Sequence, residues 1–325
     1  MAESEELKHV DEDVLREVPA EYLPQERSEE TQSVSNRLVQ GLRANPLRLA
    51  SALVILGFVI MAVFAPFIAP HDPGRSFGLL QDPNTVSEGD FDYDGTEESA
   101  WHALGTNANG YDILSRIIFG TRISLLVGVV TTLIALAIGC TIGLVAGYYG
   151  GWIDNLLMRY IDFQFAFPTI ILAVGIVAFV GGLGLMNVIV AISVAFIDDF
   201  ARIVRGEVLW IREQEYISAA RTVGMQDLRI MGSEVLPNAI APIIVQATIM
   251  IPLAIIAEAG LSFLGLGVTP DTPTWGLLIA EGRGYITSAW WISVMPGLAI
   301  MFCVLAFNIL GDGLRDAFDV SEVER

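Results

Sequence analysis

Apolar runs of about twenty residues recur along the chain, close to the length a helix needs to cross a bilayer. The first covers about 49–69 and closes among Pro66 and Pro70. The second covers about 123–147 and is rich in Gly, Ala and Thr, which lets neighbouring helices approach closely. The third, about 163–182, carries Pro168 near its start. Gly181, Gly182 and Gly184 then make a tight hairpin into a fourth, which reads cleanly from Leu185 only to Ile197. The fifth, about 239–257, holds Pro242 and Pro252, and the sixth, about 290–310, holds Pro296. Of the 325 residues 53% are hydrophobic and 17% charged, against about 25% charged in a soluble domain. The expected fold class is an all-α integral membrane protein with six transmembrane helices, multi-pass in the plasma membrane.

The polar segments set the expected organisation. Residues 1–45 form an acidic, mostly disordered tail, 46–70 the first transmembrane helix and 71–112 an acidic extracellular loop. Residues 113–319 form a core of five further transmembrane helices with a cytoplasmic loop at 202–237, and 320–325 a short tail. Residues 150–162 read as a short polar turn and 260–288 as a Gly- and Pro-rich outer segment. Pro168, Pro242, Pro252 and Pro296 are candidate bends. No short apolar segment follows a basic start, so a cleaved signal peptide is not expected. Arginine placement orients the chain. With the N-terminus inside, the inner segments hold Arg37, Arg43, Arg48, Arg159, Arg202, Arg205, Arg212, Arg221, Arg229 and Arg315. The outer ones hold only Arg75, Arg116, Arg122 and Arg283. Both termini are therefore expected in the cytoplasm, a parity that six spans satisfy.

The net charge of −19 arises largely from acids in residues 1–43 and 71–98, and Lys8 is the sole lysine. An acidic, lysine-poor surface suits a high-salt cytoplasm and points to a halophilic origin. Nucleic acid is excluded as a partner because phosphate binding needs a basic patch that is absent. Cys140 and Cys303 lie inside apolar runs and read as small buried residues, without a disulfide framework or a metal motif.

One polar stretch carries more information than the rest. It runs Arg212-Glu-Gln-Glu-Tyr-Ile-Ser-Ala-Ala-Arg-Thr-Val-Gly224 and continues through Met225 to Leu236-Pro237. It offers a helix with Ala219 and Ala220 on its surface, a turn at Gly224, and a second helix ended by Leu236-Pro237. On residue chemistry alone, a docking surface and an ordinary solvated loop helix stand level.

The spacing Ala-Ala-x-x-x-Gly followed by Leu-Pro resembles the coupling loop of ABC importer permeases. Ala201-Arg-Ile-Val-Arg-Gly-Glu207 and Pro237-Asn-Ala-Ile-Ala-Pro242 resemble the dipeptide/oligopeptide/nickel branch of that family. So do Gly110-Tyr-Asp-Ile-Leu-Ser-Arg116 with Gly120-Thr-Arg-Ile-Ser-Leu125, and Glu258-Ala-Gly-Leu-Ser-Phe-Leu-Gly-Leu-Gly-Val268 with Pro273-Thr-Trp-Gly276. Leu310-Gly-Asp-Gly-Leu-Arg-Asp316 completes a resemblance that covers most of 46–319 and is similar to the C-type permease of the pair.

The resemblance implies a type I ABC importer permease fold and a division of labour. A homologous second permease, two ATPase subunits and an extracellular solute-binding protein are the implied partners, beside the lipid bilayer and a peptide-like substrate. Dipeptides, oligopeptides, nickel and related solutes are all compatible with it. ATP and magnesium belong to the ATPase subunits, and no cofactor or metal is expected on this chain. The residues agree, because a Walker A loop needs a lysine on the phosphates and Lys8 lies in the acidic tail. Carried over by position, Glu215, Ala219, Ala220, Arg221 and Gly224 form the docking surface, and Leu236 and Pro237 return the chain to the membrane. Glu258, Ser262, Gly265, Gly267 and Trp275 are the family-motif positions of the core. Ser218 and Glu234 depart from the family pattern, which puts individual docking contacts in doubt.

Charges near spans are costly and often functional. Asp198 and Asp199 read as a helix emerging into the cytoplasm, pointing about 100° apart so that both cannot line one narrow path. Glu258 reads as structural or gating. An alternative from another class is an ion-gradient-driven transporter or channel that uses these three acids. Asp90-Phe-Asp-Tyr-Asp-Gly95 starts like a calcium loop, but its twelfth position is Trp101 where a glutamate is required. His9, His71 and His102 lie in polar segments, and no catalytic set is visible.

Overall fold

Asn45 accepts a hydrogen bond from the Leu47 N–H and Pro46 occupies the first turn, so the first long helix starts where the apolar run begins. The computed structural model describes residues 45–91 and 97–323, all within one compact unit. The acidic tail expected at 1–44 and the centre of the calcium-like stretch lie outside the described residues.

Helix α1 spans Pro46–Ile68, and a β-hairpin follows, β1 Thr85–Phe91 paired antiparallel with β2 Glu97–His102. Helix α2 spans Ile113–Tyr149, about 55 Å at 1.5 Å per residue, and is the longest element. It starts ten residues before the expected span. The Asp112 carboxylate caps it through the Ser115 N–H, and the polar Ser115 and Arg116 are buried against protein. Then come α3 (Gly151–Phe165), α4 (Thr169–Val180), α5 (Leu185–Ala195), α6 (Ile197–Arg212) and α7 (Glu215–Thr222). Helix α8 (Asp227–Ile230) runs through a π turn, Met231–Val235, into α9 (Leu236–Asn238) and α10 (Ile240–Phe263). Helix α11 (Trp275–Gly282) and α12 (Trp291–Val323) complete the chain.

Two expectations change. Residues 150–162 are not a polar turn. Gly150 and Gly151 turn the chain with φ of 66° and 57°, and α3 begins at once. Its inward side is Ile153, Leu157, Ile161 and Gln164, the spacing of one helical face, while Trp152, Leu156 and Phe163 are exposed. The third run is broken at 166–168, where α3 and α4 meet at 92°. Pro168 has no N–H to continue the ladder, and it disfavours helical geometry in the residue before it.

Among the described residues four helices are long and apolar enough to cross a membrane, α1, α2, α10 and α12, and a fifth crossing results if the α3–α4 pair is one span. The expected fourth span is interrupted at Phe196, between α5 and α6. Pro252 and Pro296 sit inside continuous helices, and Pro242 lies in the first turn of α10.

Helix α2 is the axis of the packing. It lies against α6, α10, α1 and α5, and α12 closes on α1, α10 and α11. One apolar cluster joins α2, α5, α6 and α10 through Val127, Ile192, Phe200 and Leu261. A second, near the start of α2, centres on Trp275, Trp291 and Ile113. A third, at its other end, centres on Val208, Ile217 and Ile230.

Candidate functional site

Helix α7 is held by one face. Ile217 is fully buried among Val208, Ile211, Ile230, Met231 and Val235. Glu215, Ala219, Arg221 and Gly224 are exposed on the other side, with Ala220 half-buried. The helix ends in a Schellman motif, in which the Gly224 N–H donates to the Arg221 carbonyl (3.0 Å) and the Met225 N–H to that of Ala220 (3.1 Å). Gly224 has φ +81°, and a Cβ there meets nothing within 4 Å among the described residues. Glycine is therefore needed for the turn itself, and space for a partner lies over it.

Arg221 also has an internal role. Its guanidinium sits 5.0 Å from the centre of the Tyr148 ring, whose Oη donates to Asp227 Oδ1 at 2.8 Å. These contacts fasten the loop to the end of α2. Leu236 and Pro237 do not end a second helix as expected. The Leu236 N–H bonds five residues back to the Met231 carbonyl, and Pro237 is the second residue of the short turn α9, where its missing N–H costs least. Two residues outside the expected set dominate the exposed side. Val223 is 79% and Leu228 78% exposed, bracketing Gly224. Their signal in the sequence is two aliphatic side chains beside a turn glycine in an otherwise polar stretch.

Helix α6 joins this loop to α2 by backbone-close packing. Gly139, Gly143 and Gly147 recur every four residues on α2. A Cβ added at Gly139 meets Ile197 O at 2.6 Å, one at Gly143 meets Ala201 O at 2.5 Å, and one at Gly147 meets Val208 Cβ at 2.8 Å. Side chains reinforce the seam. Arg205 donates to both oxygens of Asp154 on α3, Nε to Oδ1 at 2.6 Å and Nη2 to Oδ2 at 2.7 Å. Arg202 donates to Asp162 at 2.9 Å and lies 3.9 Å over the Phe165 ring, and Arg212 donates to the Gly147 carbonyl at 2.9 Å. Asp154→Ala is expected to lower stability by about 1–3 kcal/mol, because it strips both charge-assisted bonds from Arg205. The thermal midpoint of the purified protein checks this, and an unchanged midpoint would show that the pair carries no load.

At the opposite end of α2, four of the five family-motif positions meet. Glu258 is fully buried on α10, and its Oε1 accepts from Ser262 (2.7 Å) and Thr274 (2.8 Å), while Oε2 has no partner among the described residues. Thr274 caps α11, and Trp275 donates from its backbone to Ser124 Oγ and from its indole to the Ile117 carbonyl. Gly267 packs on Ser262, where a Cβ falls 2.1 Å from its Oγ. Gly265, the fifth position, makes the turn between them with φ +77°. The residues from 258 to 275 thus clip the end of α10 to α11 and α2. Beside them Arg116 and Asn107 both donate to Glu281, whose carboxyl is pushed up by burial against the opposing pull of Arg116.

Asp198 is buried and accepts from the Gln164 amide at 3.1 Å. It and Asp199 both line one cleft of about 320 Å³ at the α3–α4 bend. The bend, which the apolar pattern does not reveal, brings residues 164–168 around the start of α6.

Residues 139–321 match the family described as binding-protein-dependent transport system inner membrane component. Residues 36–87 match the N-terminal TM domain of oligopeptide transport permease C. The chain is 42% identical over 278 residues to the dipeptide transport system permease protein DppC of Alkalihalophilus pseudofirmus, covering 86% of this chain and 87% of that one. It is 43% identical over 272 residues to the glutathione transport system permease protein GsiD of Pectobacterium atrosepticum, covering 83% and 85%. Among solved structures, a chain of the inward-facing MetNI methionine ABC transporter superimposes with a TM-score of 0.53 at 21% identity, covering 63% of this chain and 97% of that one, which supports the fold. With the clipped α10–α11 segment at one end of α2 and the exposed α7 at the other, the chain belongs to the binding-protein-dependent transport inner-membrane components and is a permease subunit of an ABC importer.

Proposed function

We propose that this chain is the C-type half of a heterodimeric permease that imports short peptides, driven by ATP hydrolysed on two separate subunits. The observation that carries this reading is the exposed side of α7, Ala219 through Gly224, fixed from behind by buried Ile217. In this reading α7 seats in a groove of an ATPase subunit. Closure of the ATPase pair on ATP moves α7, the α2–α6 seam carries that motion along the bundle as a rigid unit, and hydrolysis resets it. In this reading the ATP and its magnesium sit on the ATPase subunits and not on this chain.

Six spans and cytoplasmic termini belong to the same reading. The α5–α6 path, with its interruption at Phe196, serves as the sixth crossing beside α1, α2, α3–α4, α10 and α12. The arginine-rich α6–α7 segment then lies inside, and the hairpin end faces outside, where a solute-binding protein delivers substrate. Peptide is the substrate class because relatives above 40% identity are named for dipeptide and glutathione transport. Family membership favours this over ion-gradient transport through Asp198, Asp199 and Glu258.

The test is co-purification with the candidate ATPase subunit, comparing the unaltered chain with Gly224→Asp. The variant places a charged side chain, in a disfavoured φ, where glycine leaves open space. Loss of the ATPase with unchanged membrane insertion is expected. Equal recovery in both would remove α7 as the docking element.

A further inference from the structure

We propose that His71, His102 and Asp112 form a binding site for a divalent transition-metal ion of the zinc class. The three come from separate places: His71 follows α1, His102 ends β2, and Asp112 is the cap of α2. One ligand atom from each lies within 4.8 Å of the others. His102 and Asp112 are almost completely buried, and His71 is half-buried at the rim.

The hydrogen bonds fix which atoms face the ion. His102 Nδ1 lies 2.9 Å from Asp112 Oδ1, so the ion takes these two atoms and displaces the proton they share without it. His71 Nε2 lies 3.0 Å from the Trp101 carbonyl, which only accepts, so its lone pair is on Nδ1. The His71 ring is thus oriented by one N–H on an oxygen and presents a bare nitrogen, as metal-binding histidines do. The two rings lie 5.2 Å apart, and Phe77 packs on both, at 4.8 and 4.9 Å, forming an apolar wall.

Two imidazoles and one carboxylate suit zinc and similar first-row ions, whereas calcium and magnesium take all-oxygen shells. Closing on an ion at about 2.0–2.2 Å draws the ligand atoms closer together than their present spread. The half-buried edge at His71 leaves a coordination position for water. Such an ion staples the end of α1, the last strand of the hairpin and the start of α2. Asp112 Oδ2 stays on the Ser115 N–H as helix cap.

The test is zinc binding by the full chain in detergent, purified on a histidine-free tag and measured by equilibrium dialysis with elemental analysis. The chain has three histidines, so His9→Ala serves as the control. The unaltered chain and His9→Ala are expected to hold one zinc per chain and to melt at a higher temperature with zinc, whereas calcium leaves both unchanged. His71→Ala, at the rim, is expected to keep the zinc-free midpoint, to weaken zinc binding by about 100-fold or more, and to lose the zinc-dependent rise. His102→Gln is expected to do the same where it folds. No zinc above the detergent blank in the unaltered chain, or undiminished binding by His71→Ala, would overturn the site.

Discussion

Gly143→Leu is expected to abolish transport and to destabilise the protein by about 3 kcal/mol or more, the upper end of the cost of overpacking. A Cβ at this position falls 2.5 Å from the Ala201 carbonyl and 2.9 Å from the Arg205 nitrogen. Both are backbone atoms of α6, so no side-chain rotation relieves the clash, and α2 and α6 must move apart. That separation also disturbs the Arg205–Asp154 and Arg212–Gly147 bonds, which depend on the same seam. Gly175→Leu is the matched control, because a Cβ there meets nothing within 4 Å among the described residues. The thermal midpoint and substrate uptake into vesicles decide it. Equal behaviour of the two variants would show that the α2–α6 contact does not hold the fold.

A second large effect is expected from Val223→Asp combined with Leu228→Asp. On the proposed docking of α7, ATPase capture falls by about 100-fold or more, since two apolar anchors at about 2 kcal/mol each exceed the 1.4 kcal/mol per decade of affinity. Both side chains are nearly free of this chain's own packing, so the midpoint of the isolated permease is expected to stay put. A fallen midpoint with capture intact would instead assign them to the fold. This pair separates surface chemistry from the backbone requirement at Gly224, which the glycine variant alone does not.

Much of α7 was legible from residues 212–224. Polar residues with two alanines and a following glycine predicted a short helix with both alanines on its surface and a turn at Gly224; α7 has the helix and the turn, and Ala219 is exposed while Ala220 is half-buried. Ile217 as anchor was not read, because one isoleucine in a polar stretch has no periodic partners. Its partners are Val208 and Ile230 on other elements. The Leu236-Pro237 stop was misplaced for a local reason: a π turn absorbs the missing proline N–H, and a proline pattern does not announce such a turn. The family-motif residues were legible as a set, but Glu258, Thr274 and Trp275 became neighbours only through the return of the chain after Gly265.

The sequence by itself determined the membrane class, the long apolar helices, the glycine spacing on α2 and the absence of a P-loop lysine, since each rests on local composition or short-range periodicity. Tertiary structure decided which helix fills the groove over Gly139, Gly143 and Gly147, where the third apolar run bends, and that Asp198 and Asp199 share a cleft. It also brought His71, His102 and Asp112 together. Those outcomes depend on contacts between residues far apart in the chain, and hydrophobic periodicity carries no record of which surfaces meet.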